Sequence, residues 1–146
     1  MHKVEKIMQT LLQVLRRSTK LNALTERARL HAYNLDELPA VSVRQGAEEV
    51  QTEAQTLSHY TPTFEILIDL SVKNDISFHH EEWLNKMRAE VSLLIELNPT
   101  FGLDFVIDTY ELGSSEPSSA DSSNEIMSQT VSYQCQYRRL RTNPEI

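Results

Sequence analysis

Glycine and cysteine are both scarce in this sequence. Three glycines in 146 residues can hardly build a loop that cradles phosphate. Neither a P-loop, nor GxGxxG, nor a GxSxG nucleophile elbow occurs, which removes the commonest nucleotide-binding and hydrolase signatures. The single cysteine, Cys135, allows no internal disulfide and fits a reducing compartment, so folding in a cytoplasm is expected. Long apolar runs are missing too: none approaches the roughly 20 residues of a membrane helix. The opening "MHKVEKIMQTLLQVLRR" carries charge every few residues and reads as a helix rather than a signal peptide. No membrane partner is therefore expected. What is present, 40% apolar and 24% charged residues, is the composition of a globular protein. Residues 1–146 are long enough to bury a core as one domain.

Charge is unevenly distributed. Residues 1–44 hold eight Lys/Arg against four Asp/Glu, residues 45–128 three against sixteen, and residues 129–146 three against one. An acidic middle between basic ends is a poor grip for nucleic acid, which needs a clustered basic face. It suits self-association between unlike patches better.

The periodicity of the apolar residues predicts the elements. Val4, Ile7, Met8, Leu11, Leu12 and Leu15 form one helical stripe. "RARLHAYN" (residues 27–34) alternates Ala28, Leu30 and Ala32 with polar neighbours and predicts a short strand. "PAVSVR" predicts a second, with Val41 and Val43 on one face, broken by Gly46 and a polar stretch reaching Tyr60. In "TFEILIDLSVK", Phe64, Ile66, Ile68, Leu70 and Val72 face one way, the clearest strand in the chain. A second helix is expected from about Phe78 to Leu97, with Ser77 as N-cap and Glu81 and Glu82 in its first turn. Trp83, Leu84, Met87, Val91, Leu94 and Ile95 make its buried stripe. "LDFVIDTYEL" predicts a strand with Phe105 and Ile107 facing in. "GSSEPSSADSSN", Gly113 to Asn124, has six serines and no large apolar side chain, and is expected to be a mobile loop. A last strand places Val131, Tyr133, Cys135 and Tyr137 inward, and residues 141–146 read as a tail. The order helix, three strands, helix, two strands predicts an α+β fold, a mostly antiparallel sheet of about five strands with two helices packed on one face. The other face, with Glu65, Asp69, Gln134 and Gln136, is expected to be polar.

Sites for chemistry are weak. "FHHEEW" puts only His79 and Glu82 at a helical spacing that shares a face, and reads more simply as the polar first turn of a helix. Cys135 lies mid-strand between inward tyrosines, where a reactive thiol would need an exposed, electropositive setting. Asp69 with Asp104 or Asp108 would pair as carboxylates only if strand register brought them together. The basic cluster "YRRLR" at Tyr137 to Arg141 reads as a protein contact or a solvated end. No catalytic residue, cofactor or metal is expected, and the chain is not expected to be an enzyme.

Two segments exceed what a self-contained domain requires: the polar stretch Gln45 to Pro62 and the serine-rich loop. Long connections of this kind are usually functional. The order of elements, with "YNLDELPAVSVRQGAEEV", the long "TFEILIDLSVK" strand, an acidic-capped helix carrying Trp83, "GLDFVIDTYEL" and the final "VSYQCQYR", resembles the tail terminator (tail completion) proteins of long-tailed double-stranded DNA bacteriophages. The resemblance covers roughly residues 3–140, and "ELPAVSVRQGAEEV" is its most recognisable part. It implies a homo-hexameric ring that caps the tail tube, stops polymerisation of the tube protein and offers a surface to a head-completion (neck) protein. DNA would only pass through the ring lumen, where acidic side chains would keep phosphates from sticking. The implied location is the head-proximal end of the virion tail, reached by assembly in the host cytoplasm. Gly46, Glu48, Glu49, His59, Tyr60, Arg138, Arg139 and Arg141 are the candidate assembly surface. The alternatives are a head-closure or head–tail connector protein, a small enzyme built on Asp69, Asp108 and His79, or an adaptor binding peptides along a sheet edge.

Overall fold

A computed structural model describes residues 1–29, 31–50, 58–74, 79–119 and 125–146. Helix α1 spans Lys3–Arg16 and buries Val4, Ile7, Met8, Leu11 and Leu15, the stripe its sequence draws. The His2 ring caps it by accepting from the Val4 amide. Strands β1 (Leu24–Arg27), β2 (Ala40–Glu49), β3 (His59–Tyr60) and β4 (Thr63–Lys73) follow. After them come helix α2 (His80–Leu97) and strands β5 (Val106–Ser114), β6 (Ser118–Ser119), β7 (Ile126–Tyr137) and β8 (Arg139–Leu140). The main sheet runs β1-β2-β4-β7-β5, with β6 also on β7, while β3 and β8 form a separate ribbon. Every pairing in it is antiparallel except β1 with β2. The fold is α+β.

The core lies between one sheet face and the helices. On that face Val43, Ile68 and Val131 sit in one row across β2, β4 and β7, and all three are fully buried. Leu84, Met87, Val91 and Ile95 of α2 close over them together with α1, and Trp83 and Leu94 pack at the margin. The opposite face is polar. Arg44 Nε donates to Asp69 Oδ2 at 2.8 Å, Thr130 Oγ1 donates to Asp69 Oδ1 at 2.6 Å, and the Ser71 and Ser128 hydroxyls share a bond.

Several elements differ from expectation. The first strand is Leu24–Arg27, not the alternation around Ala28: Ala28 has φ of 48°, a left-handed conformation that ends the strand. Leu30 lies outside the described residues. Since β1 is parallel to β2, the chain needs a crossover of about a dozen residues, and residues 28–39 supply it with a 3-10 turn at Leu35–Glu37. Arg29 holds this crossover by ion pairs to Glu26 and Glu37. Helix α2 has His79 as its N-cap residue; Ser77 and Phe78 lie outside the described residues. Gly46 does not break its strand. Residues Gly46 and Ala47 oppose Glu65 alone, a β-bulge through which β2 continues to Glu49. The serine-rich loop is part sheet, since Gly113 and Ser114 end β5 and Ser118 and Ser119 pair with Ser128 and Met127; residues 120–124 lie outside the described residues. The segment read as a tail folds back: the Arg141 amide donates to the Ser58 carbonyl, and the Lys3 amide to the Pro144 carbonyl.

Candidate assembly surface

The eight residues singled out from the sequence collect at one end of the sheet, where β2 and β7 finish and β4 begins. Glu48 stands opposite Phe64 and Glu49 opposite Thr63, and Thr63 pairs onward with Gln136 of β7. The bulge at Gly46 and Ala47 turns Glu48 toward Tyr137, whose hydroxyl donates to Glu48 Oε2 at 3.1 Å. Burial, reinforced by the Glu48 carboxylate, pushes the Tyr137 phenol well above its ordinary value, so it stays a donor. Gly46 is needed for the approach: a Cβ there would meet Glu65 Cβ at 2.8 Å. The ribbon pairs His59 with Leu140 and Tyr60 with Arg139. The Arg139 and Arg141 guanidinium groups lie 5.1 and 4.9 Å from the Tyr60 ring centre, a double cation–π contact. The Arg138 amide donates to the Phe105 carbonyl, and its carbonyl accepts from Lys3 Nζ at 2.8 Å. Acids from β2 and bases from the β7–β8 end thus form one rim of mixed charge.

A second exposed feature escaped the sequence reading. Strand β5 borders β7 on one side, and among the described residues no strand lies beyond it. Its pairing with β7 steps from Val106 to Asp108 and from Glu111 to Gly113. The two residues passed over, Ile107 and Leu112, are extra residues of bulges. Bulges re-aim side chains, and Ile107 is 42% and Leu112 48% exposed, with Tyr110 between them at 46%. The expectation that Ile107 faces in is therefore corrected. Val106 and Thr109 are the buried residues, and Phe105 lies partly buried at the margin under Lys3. An apolar residue with a bulge ahead of it carries no mark in sequence that separates it from a core residue.

The candidate chemical residues do not converge. Asp69 is opposite Thr130 and Asp108 opposite Gln136, six residues apart on β7 and so roughly 20 Å distant. Asp69 is already held by Arg44 and Thr130. Glu82 is in ion-pair range of Lys86 at 3.5 Å. Among the described residues no group of three or more His, Cys, Asp and Glu side chains could hold a metal ion. Cys135 is fully buried, and burial pushes its thiol up to about 11, away from a reactive thiolate. Among the described residues no helix is long and apolar enough to cross a membrane.

No protein-family model and no curated protein matches this chain. Among solved structures, a chain from the virion of a native gene transfer agent (GTA) particle matches with a TM-score of 0.61. The two chains share a fold. The alignment covers 91% of this chain and 95% of the other at 10% sequence identity, so the likeness extends over the whole architecture while few residues are common.

Two exposed features of this chain stand out on that fold, the rim at the Glu48–Arg141 end and the bulged β5 edge. The first was signalled by charge and composition; the second becomes visible only once the strand register is known.

Proposed function

We propose that this chain is a phage-type virion structural protein, and that it terminates a tail tube by forming a ring on its end. The observation that carries the reading is the likeness over nearly the full length of both chains to a protein of a virion particle. The order of elements, which resembles tail terminator proteins, adds the finer role. In this reading the chain works as a surface and is not an enzyme. Tube subunits stack by heterologous contacts that would propagate without end. A ring with one tube-like face and one different face ends the series and leaves the second face for a neck protein. The rim of Glu48, Glu49, Tyr60, Arg139 and Arg141 is then an assembly surface, and the ring is a homo-hexamer at the head-proximal end of the tail, with DNA passing through its lumen.

The test is removal of the gene from the phage or prophage that carries it, followed by electron microscopy of the tails. Tubes of excessive, uncontrolled length are expected. Tails of normal length that fail to join heads would replace the terminator role by a connector role. Normal infectious particles would overturn both.

A further inference from the structure

We infer that residues 31–36 form a lid over the polar face of the sheet, latched by the side chain of Arg29, and that this lid opens while the sheet stays folded. The device is independent of the ring reading. The segment lies over a recess of about 170 Å³ that is floored by Ser42, Asp69, Ser71 and Ser128 and roofed by Tyr33 with its two predecessors. The floor spans the neighbouring strands β2, β4 and β7, and Ser42 and Ser71 are each only 4% exposed.

One side chain carries the closure. Arg29 donates from Nε to the His31 carbonyl at 2.9 Å and from Nη2 to the Ala32 carbonyl at 3.2 Å. The same guanidinium pairs with Glu37 at the end of the crossover and with Glu26 of β1, and it lies 4.5 Å from the Tyr33 ring centre. A planar fork with five donors can make all of these contacts at once. Among the described residues nothing else ties the segment down. No backbone hydrogen bond joins residues 31–36 to a strand, and none of them belongs to the core or packs against it. All of them except Tyr33 are exposed. Segments with so few buried contacts open locally at a fraction of the cost of global unfolding.

The two surfaces that would part are unequal. On the lid, the Tyr33 hydroxyl is buried without a hydrogen-bond partner, a penalty carried only by the closed state. On the floor, the polar groups are satisfied within the sheet. The Ser71 and Ser128 hydroxyls bond each other, and Asp69 accepts from Arg44 and Thr130. Lifting the lid therefore relieves one group above and orphans none of these below.

The test is thiol labelling of the full chain with an aromatic disulfide reagent under native conditions. Cys135 is fully buried in the core and reports unfolding of the sheet. Ser71→Cys puts a second thiol beneath the lid, and circular dichroism checks that the variant folds. The new thiol is expected to react well before Cys135. Adding Arg29→Gln should speed that reaction by about tenfold or more, the worth of one charge-assisted hydrogen bond, while Cys135 stays protected. Adding Tyr33→Phe instead should make it no faster, since the hydroxyl removed has no partner. Amide exchange gives the same comparison without a new thiol. The Asn34 amide, bonded to Glu37 Oε1, should exchange faster in Arg29→Gln, and the Ile68 amide in β4 should not. Three results would each overturn the inference. Equal reactivity of the two thiols would mean that the segment opens only with the sheet. Unchanged labelling and exchange in Arg29→Gln would remove the latch. Faster labelling in Tyr33→Phe would give the closure to the phenol instead.

Discussion

Strands β4 and β5 look alike in sequence and behave differently in the fold. "TFEILIDLSVK" keeps a strict alternation, and every second side chain from Phe64 to Val72 is buried. "VIDTYELGS" offers a similar alternation, yet its phase slips twice. The difference comes from the neighbours. Strand β4 is clamped between β2 and β7, and a slip by one residue would turn its whole apolar set to the polar face. Among the described residues strand β5 has one partner, so bulges at Ile107 and Leu112 cost only local pairing. A central strand is read from its pattern; an edge strand is read from its partner.

The sharpest contrast should appear on truncation. Ile68 is fully buried, with Val43 on one side and Val131 on the other. Ile68→Ala should cost about 2–5 kcal/mol, the transfer loss plus the cavity left behind. Urea denaturation, read as a shift in midpoint at constant slope, measures it. A loss below about 1 kcal/mol would mean that the sheet and α2 close over the gap, and that β4 is less tightly clamped than its register suggests.

The same contrast explains what was legible. The α1 stripe, the β4 and β7 alternation and the α2 core face all follow from a single side facing the core. Strand β1, "LTER", carries no such pattern. Only Thr25 is buried there, and the strand exists because β2 offers a parallel partner. Gly46 reads as a breaker because glycine weakens an isolated strand, whereas in the sheet its missing Cβ lets two residues oppose Glu65. The candidate surface was legible as a set of polar residues but not as a place. It is assembled by the two-residue strands β3 and β8, too short for any period, which bring Tyr60 under arginines some eighty positions away.

Gly46→Ala tests that account of the bulge. The new Cβ would meet Glu65 Cβ at 2.8 Å and the Glu65 carbonyl at 3.3 Å, so about 1–3 kcal/mol should be lost to overpacking. The partner change Glu65→Gly removes the first atom met. A double-mutant cycle should therefore show the alanine costing less on that background. Additive losses would place the cause in backbone conformation rather than in contact.

Tyr133 and Cys135, on the clamped side of the molecule, should make the fold sensitive to alkali. Burial pushes the Tyr133 phenol up to about 12 from an ordinary 10 and the Cys135 thiol up to about 11 from an ordinary 9. Above pH 9 the unfolded chain releases these protons while the native chain keeps them. The unfolded state then binds fewer protons, and stability falls as pH rises. It is fully present below about 9 and is lost through 11 to 12. Denaturation midpoints measured from pH 8 to 11 should fall. Tyr133→Phe should flatten that fall and, at neutral pH, cost about 1 kcal/mol, since it removes the 2.6 Å bond between the Tyr133 and Ser92 hydroxyls.

The smallest effect on stability is expected at Ile107, and its smallness is informative. Ile107→Ser removes an isoleucine from a strand, a change that inside β4 would be severe. Here the side chain is 42% exposed and stands outside the β5–β7 register, so the isolated chain should change by no more than about 0.5 kcal/mol. An isoleucine left 42% exposed at a bulge contributes less to the fold than one enclosed in β4. A large loss in the monomer would instead mean that Ile107 packs inward, restore the simple alternation of "DFVIDTYEL", and remove the distinction between the clamped strand and the free one.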